Sequence, residues 1–150
     1  MRANWLAAGV MVLAACGGGE KPAAVDSTAA APMAAAATGE THDVQMTMVG
    51  ADYRFVPSDI SVKVGDVVKF TNMAATAHNV QFYADSIPAG AAAVLDANMP
   101  NRMGPLASNL ILTQNETYSI SFAGAPVGVY HFTCLPHQAL GMHGKITVTQ

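Results

Sequence analysis

The sequence predicts an all-β sandwich over residues 42–150, and three observations support this prediction. Short runs in which apolar and polar residues alternate recur along the segment, as expected for strands that bury one face. Residues that favour turns, mainly glycine, proline and aspartate, separate these runs. The segment also has the size of one small domain. These features are typical of two packed β-sheets rather than of a helical repeat.

The predicted strands follow the alternation in chain order. They cover residues 44–48, 53–55, 60–64, 67–71, 78–83, 117–122, 129–134 and 145–148. Between residues 84 and 109 the pattern is less regular. Residues 87–96 fit one short helix, and residues 98–105 fit an irregular connection.

Residues 1–15 have the composition of an export signal. Arg2 gives a positively charged start, an apolar run follows, and small residues precede Cys16. This ending is similar to a bacterial lipobox. That resemblance implies that Cys16 is lipidated and anchors the mature chain to a membrane, with the domain in the periplasm. An ordinary cleaved signal with an incidental cysteine is the alternative.

Residues 16–41 are predicted to be a disordered tether. The segment contains three consecutive glycines, prolines and runs of alanine, and it has no aromatic residue. It therefore lacks the side chains that could bury a core. As a flexible coil it would extend roughly 25 to 30 Å on average. We expect the domain to move around its anchor and to meet different partners.

Charge and cysteine content exclude two further classes. The chain has 7 Lys and Arg against 10 Asp and Glu, for a formal net charge of −3. No basic stripe is present that could bind nucleic acid. Cys16 is assigned to the lipid and Cys134 to a metal, so no pair remains for a disulfide.

The residues that indicate chemistry lie near the C-terminus. Cys134, His137 and Met142 place a thiolate, an imidazole and a thioether within nine residues. Soft sulfur donors together with imidazole favour copper, because thiolate and thioether suit Cu(I) and imidazole suits Cu(II). Residues 134–142, called the ligand loop below, therefore offer three ligands.

The flanks of the ligand loop are predicted strands. Tyr130, Phe132 and Cys134 alternate with His131 and Thr133. Because side chains alternate across a strand, the two rings and the sulfur should face inward, while His131 and Thr133 should face outward. Residues 144–149 alternate again, so the loop should join two strands.

A fourth ligand has to come from elsewhere, and His78 is the best candidate. It lies on a strand pattern with Val80 and Phe82 on its own side. The remaining histidines fit less well, because His42 lies at the domain edge and His143 would have to displace Met142. The alternative without metal has an inert buried thiol, a methionine that fills the core, and histidines in structural positions.

These residues resemble the small blue copper proteins of the plastocyanin/azurin family, the cupredoxins, and most closely their plastocyanin-like branch. The resemblance implies a Greek-key sandwich with one type 1 copper ion. The implied ligands are His78, Cys134 and His137 in a trigonal plane and Met142 in a long axial position. Asn79 would tie the two ligand-bearing segments together. The similarity depends on residues 78–80, 128–134 and 136–145.

The same resemblance implies an electron carrier and not an enzyme. Four side chains would fill the copper shell, whereas a catalytic metal site keeps one position open. Partners would be transient redox proteins, such as a cytochrome or a copper or haem oxidase or reductase, and the carrier would be a monomer. The implied docking surface is the apolar loop around His137, formed by Leu135, Pro136, Ala139 and Leu140.

Other interpretations stay open at the level of sequence. The domain could buffer or deliver copper, or it could be a structural lipoprotein without metal. Met99 and Met103 leave open a second, methionine-rich Cu(I) site. Thr133 stands where photosynthetic members commonly have a tyrosine, so a photosynthetic role does not follow from the resemblance.

Overall fold

The computed structural model describes residues 36–150, which form two packed four-stranded β-sheets. The strands are β1 (Thr41–Val49), β2 (Asp52–Val56), β3 (Asp59–Lys63), β4 (Val67–Asn72), β5 (Gln81–Phe82), β6 (Thr117–Ser121), β7 (Gly128–Thr133) and β8 (His143–Thr149). One sheet has the order β2-β1-β4-β6 and the other the order β3-β8-β7-β5. The predicted all-β sandwich is therefore confirmed.

Strand pairing brings the predicted ligand segments to one end of the sandwich. β7 and β8 pair antiparallel in a register that sets Thr133 opposite His143. The ligand loop therefore connects two neighbouring strands of one sheet. β5 pairs with the other side of β7, with Gln81 opposite Thr133. As a result, the segment that precedes β5 lies beside the start of the ligand loop.

Aromatic rings form the core beneath that end. Phe132 packs edge-to-face on Phe55, with ring centroids 4.8 Å apart, and on Phe70, with ring centroids 5.6 Å apart. All three rings are buried. Such pairs add roughly 0.5 to 1.5 kcal/mol to the free energy gained from burial alone. The strand that leads to Cys134 is thus fixed by packing two residues before the cysteine.

The predicted strand at 78–83 is only partly present, since β5 contains just Gln81 and Phe82. Upstream of β5, His78 forms a single bridge with Ile111. Between them, the Val80 N–H donates to the Ser108 hydroxyl at 2.9 Å rather than to a backbone carbonyl. This side-chain acceptor interrupts the ladder and explains why the strand is short.

The irregular region contains one helix, as predicted, and it is α1 (Ala91–Asn98). Ala91 and Leu95 are its buried apolar residues. At its C-terminal end the Asn98 amide donates to the carbonyls of Ser121 and Ala123 at 3.0 and 2.9 Å. The helix is therefore attached to the end of β6.

The start of the domain is fixed by one buried carboxylate. Asp66 accepts hydrogen bonds from the N–H groups of Glu40 and Lys63 at 2.9 and 2.8 Å and contacts His42 Nε2 at 2.8 Å. These bonds lower the pKa of Asp66. β1 begins at Thr41, one residue before the predicted domain boundary at residue 42.

The predicted signal at 1–15, the lipidation site Cys16 and most of the tether at 16–41 lie outside the described residues. Within residues 36–150, no helix combines the length and apolar composition that crossing a membrane requires.

Gly144→Ala is expected to destabilise the domain by about 1 to 3 kcal/mol, because the core cannot expand around an added methyl group. A Cβ at Gly144 would lie 2.4 Å from Phe132 Cζ and 2.8 Å from the Ser58 carbonyl oxygen. Urea unfolding of the metal-free domain measures the effect. Gly104→Ala is the matched control, since a Cβ there meets nothing within 4 Å. Equal midpoints for the two variants would contradict this account.

Candidate metal centre

The ligand loop, which connects β7 and β8, contains a 3₁₀ helix (Leu135–Leu140). Pro136 lies in its first turn, where the missing N–H of proline is tolerated. Gly141 ends it with a φ of 81°, a conformation that favours glycine. The sequence predicts a loop here, and the helix is an addition to that prediction, although Pro136 and Gly141 mark its two ends.

Three buried donor atoms meet at the start of this helix. Nδ1 of His78 lies 3.5 Å from Cys134 Sγ, and Nδ1 of His137 lies 3.4 Å from the same sulfur. One donor atom from each of the three residues lies within 4.8 Å of the other two. His78 and Cys134 are fully buried, and His137 is 9% exposed. The structure therefore brings together the two segments that the sequence analysis combined.

His78 is held both through its backbone and through its ring. Its N–H and C=O exchange hydrogen bonds with Ile111 at 3.0 and 2.8 Å. With Nε2 protonated, the ring donates to Thr76 Oγ1 at 3.0 Å and presents the Nδ1 lone pair to the cysteine. Burial lowers the pKa of His78 to about 4, and it also lowers the pKa of His137. Both rings are therefore neutral near pH 7, the state in which imidazole binds metals.

Cys134 is a buried thiol in the metal-free protein. Burial raises its pKa, whereas the backbone N–H groups of Asn79 and His137 act in the opposite direction. A cation bound at the sulfur would displace the proton. The resulting thiolate would then be stabilised by the cation and by the same two N–H groups.

Met142 is fully buried, and its backbone is hydrogen-bonded to that of Cys134. Its carbonyl accepts hydrogen bonds from the Cys134 N–H at 3.1 Å and from the Thr133 hydroxyl at 2.9 Å. Thr133 is nevertheless buried, unlike its alternation partner His131, because its hydroxyl makes this bond to the ligand loop. Thr133 thus fixes the end of the ligand loop.

Asn79 joins the two ligand segments. Its side-chain Oδ1 accepts a hydrogen bond from the Leu135 N–H at 2.7 Å. Asn79 follows His78 and Leu135 follows Cys134, so this bond sets the distance between the two ligands. Asn79 is fully buried, which shields the bond from water.

The donor set fits one copper ion. Donors about 2.0 to 2.3 Å from an ion in a trigonal plane would be roughly 3.5 to 4 Å apart. The two nitrogens lie 3.5 and 3.4 Å from the sulfur, close to that range. A thiolate and two neutral imidazoles, with the fully buried Met142 at the end of the same loop, match the chemistry that copper prefers.

Comparison with known proteins agrees with this geometry. A family model described as copper binding proteins, plastocyanin/azurin family, matches residues 42–149. The chain belongs to the plastocyanin/azurin family. It is 36% identical over 107 residues to a plastocyanin of Capsella bursa-pastoris, covering 70% of this chain and 99% of that one. It is 39% identical over 94 residues to a plastocyanin of Solanum tuberosum, covering 63% and 86%.

Solved structures show the same fold. The oxidised plastocyanin of Dryopteris crassirhizoma matches with a TM-score of 0.55 and 28% identity, covering 72% of this chain and all of that chain. The cupredoxin sandwich that the resemblance implied is therefore confirmed, and the cluster of His78, Cys134 and His137 is suited to one copper ion.

Tyr53 is a residue of this cupredoxin site that sequence analysis missed. Its ring stacks on His137 with centroids 3.8 Å apart and planes 17° apart. It also meets His78 edge-on at 5.9 Å. Tyr53 lies on β2, opposite Met48 near the tip of the hairpin. Alternation in β2 places the Tyr53 ring on the same face as the buried Phe55, but no feature of the sequence predicts that this ring packs on His137.

A second missed residue is Tyr83, which braces the ligand loop from the side. Its hydroxyl accepts from Gln138 Nε2 at 3.2 Å and lies 3.1 Å from His143 Nδ1. Gln138 follows His137, and His143 follows Met142. His143 therefore contacts Tyr83 and is not part of the cluster of three donors, and one tyrosine contacts residues on both sides of that cluster.

The rim of the site is apolar and open, and Leu135 and Leu140 are 43% and 62% exposed. Pro136 and Ala139 are also exposed. His131 is exposed, as predicted. The two methionines considered for a second copper site differ, since Met99 is buried and Met103 is 57% exposed.

The free energy of unfolding of the metal-free domain is expected to fall as the pH drops from about 6.5 to about 4. His78 binds a proton in the unfolded chain near its ordinary pKa of 6.5 but only near pH 4 when folded. The unfolded state therefore takes up more protons in this window, at a cost on the order of 3 kcal/mol. Denaturant unfolding at several pH values measures it. His78→Gln should flatten the slope, and a parent chain equally stable at pH 7 and pH 4 would refute the prediction.

Tyr53→Leu is expected to speed copper loss to a strong chelator roughly 2- to 10-fold, because an aromatic stack contributes about 0.5 to 1.5 kcal/mol. The leucine retains apolar bulk but gives His137 no flat surface to pack on. Stopped-flow absorbance measures the rate. Arg54→Ala, at an exposed neighbouring position on the same strand, is the control. Unchanged loss in Tyr53→Leu would show that the stack does not hold the ligand.

Proposed function

We propose that this protein is an electron carrier that binds one copper ion through His78, Cys134, His137 and Met142. The observation that supports this most directly is the meeting of two imidazole nitrogens 3.5 and 3.4 Å from one buried thiol sulfur. Copper bound there would supply a one-electron Cu(I)/Cu(II) couple. The surrounding side chains would bury the ion, hold its ligands in place and provide the contact with partner proteins.

Burial of the donors favours electron transfer over substrate chemistry. His78, Cys134 and Met142 are fully buried, and His137 alone among the four keeps a small exposed fraction of 9%. An enzyme would keep a coordination position accessible to water or substrate. Here protein side chains would occupy all the coordination positions, and the ligand loop covers them. This arrangement suits a carrier.

The ligands are also held in place before any metal binds. Asn79, Thr133 and Ile111 hydrogen-bond the segments that carry the donors. Tyr53 packs on one imidazole. Because protein interiors are densely packed, such a site rearranges little when the ion gains or loses one charge. Small rearrangement is the condition for fast electron exchange.

We propose that electrons leave through His137 towards transient partner proteins. His137 keeps an exposed fraction of 9%, and its neighbours in the ligand loop form an exposed apolar rim of Leu135, Pro136, Ala139 and Leu140. A small apolar contact suits a partner that binds briefly and separates again. A cytochrome or a copper or haem oxidase or reductase is the class of partner we propose, with the carrier as a monomer.

We further propose that the domain is exported and held at a periplasmic membrane surface through lipidated Cys16. The support is the sequence of residues 1–16 and the composition of the tether at 16–41. Cys16→Ser is expected to move the protein from the membrane fraction to the soluble periplasmic fraction. A mature N-terminus without lipid in the parent chain, measured by mass spectrometry, would contradict the anchor.

Addition of Cu(II) to the purified protein tests the central proposal. We expect an intense blue absorption from thiolate bound to Cu(II), and its loss in Cys134→Ser and His137→Ala. His131→Ala is the matched control and should remain blue, because that ring is exposed on the strand leading to the site. Protein-film voltammetry should give a fast, reversible one-electron wave. Copper that leaves readily to a chelator, without such a wave, would instead indicate buffering or delivery.

A further inference from the structure

The side-chain amide of Asn79 has a strong hydrogen-bond partner for its oxygen and a weak one for its NH₂ group. Its Oδ1 accepts a short bond from the Leu135 N–H at 2.7 Å. Its Nδ2 donates to Met103 Sδ at 3.9 Å, which is its hydrogen-bond contact within residues 36–150. A thioether is a weak acceptor. A fully buried NH₂ group with only this partner favours a stronger acceptor at the same place.

Met103 is open to solvent while the other methionines near the core are not. It is 57% exposed, whereas Met99 is 4% exposed and Met46 and Met142 are fully buried. It lines a surface cavity of about 490 Å³ together with Arg102 and Asn101. The Met103 side chain is therefore far more accessible to a small oxidant than that of the proposed ligand Met142.

We propose that Met103 is an oxidation site through which peroxides tune the metal centre, an inference that rests on the proposed copper function. A hydroperoxide transfers one oxygen atom to Sδ. The O–O bond breaks, an S–O bond forms, the sulfur loses two electrons, and hydrogen peroxide is reduced to water. The product is a methionine sulfoxide, and sulfoxide reductases can restore the thioether.

The sulfoxide oxygen would supply the acceptor that Asn79 lacks. An N–H···O bond is about 2.9 Å long, far shorter than the present contact to sulfur. Asn79 is connected to the centre twice, since it binds the Leu135 N–H next to Cys134 and directly follows the donor His78 in the chain. The partly negative oxygen would stabilise the more positive Cu(II) form. We therefore expect oxidation of Met103 to lower the reduction potential.

Graded hydrogen peroxide treatment of the copper-loaded protein tests this inference. Peptide mapping by mass spectrometry should find one added oxygen on Met103 and on Met48, which is 46% exposed, before Met99 or Met142 is oxidised. The potential should fall as Met103 is oxidised. Met48→Leu should show the same fall, and Met103→Leu should show none. A fall that persists in Met103→Leu would overturn the proposal.

A second readout does not require copper. In the metal-free protein, oxidation should shift the side-chain NH₂ resonances of Asn79 and the amide resonance of Leu135 in ¹H–¹⁵N spectra. Met48→Leu should retain these shifts and Met103→Leu should lose them. Oxidised Met103 with unchanged Asn79 resonances would refute the coupling even if copper binds as proposed. If copper does not bind, these spectra still decide whether Met103 and Asn79 are coupled.

Discussion

The hydrogen bond from the Leu135 N–H to Asn79 Oδ1, 2.7 Å long, is the contact on which the metal centre depends. The residues that it joins are 56 positions apart in sequence. Each of them follows a donor directly, because Asn79 comes after His78 and Leu135 after Cys134. No other hydrogen bond between side chain and backbone links the two donor segments so closely within residues 36–150. Without it, Ile111 and Thr76 would still hold His78, and the Met142 carbonyl would still hold Cys134. The direct tie between the two segments, however, would be lost.

The β-sandwich makes this bond possible by placing both segments at one end. β7 ends at Thr133, and β5 pairs with it only through Gln81 and Phe82. Because β5 is short, the chain before it can leave the ladder and turn His78 towards the sulfur. The bridge to Ile111 then supports His78 from its other side. The break in the strand is therefore a requirement of the site and not a defect of the sheet.

Sequence alone predicted the parts of this site that have a local signature. The alternation of Tyr130, Phe132 and Cys134 predicted a strand with its sulfur inward, and the donor types predicted copper. Contacts across the fold had no such signature. Thr133 obeyed the alternation in sequence, yet the turn of the ligand loop covered its hydroxyl with the Met142 carbonyl. Tyr53 and Tyr83 looked like ordinary strand aromatics, because their partners His137 and His143 are distant in the chain.

Rigidity at the centre and exposure at its edge follow from the same arrangement. A buried metal centre can be affected from the surface only through groups that contact both the centre and the solvent-exposed surface. Two such groups are found among residues 36–150. The His137 ring belongs to the donor cluster and keeps a 9% exposed fraction, which is the basis of the proposed route for electrons. The Asn79 amide touches the same cluster and ends at the exposed Met103 sulfur, so it offers a route for surface chemistry. Because the first route passes through a donor and the second only through a hydrogen bond, a change at Met103 can adjust the centre without opening it.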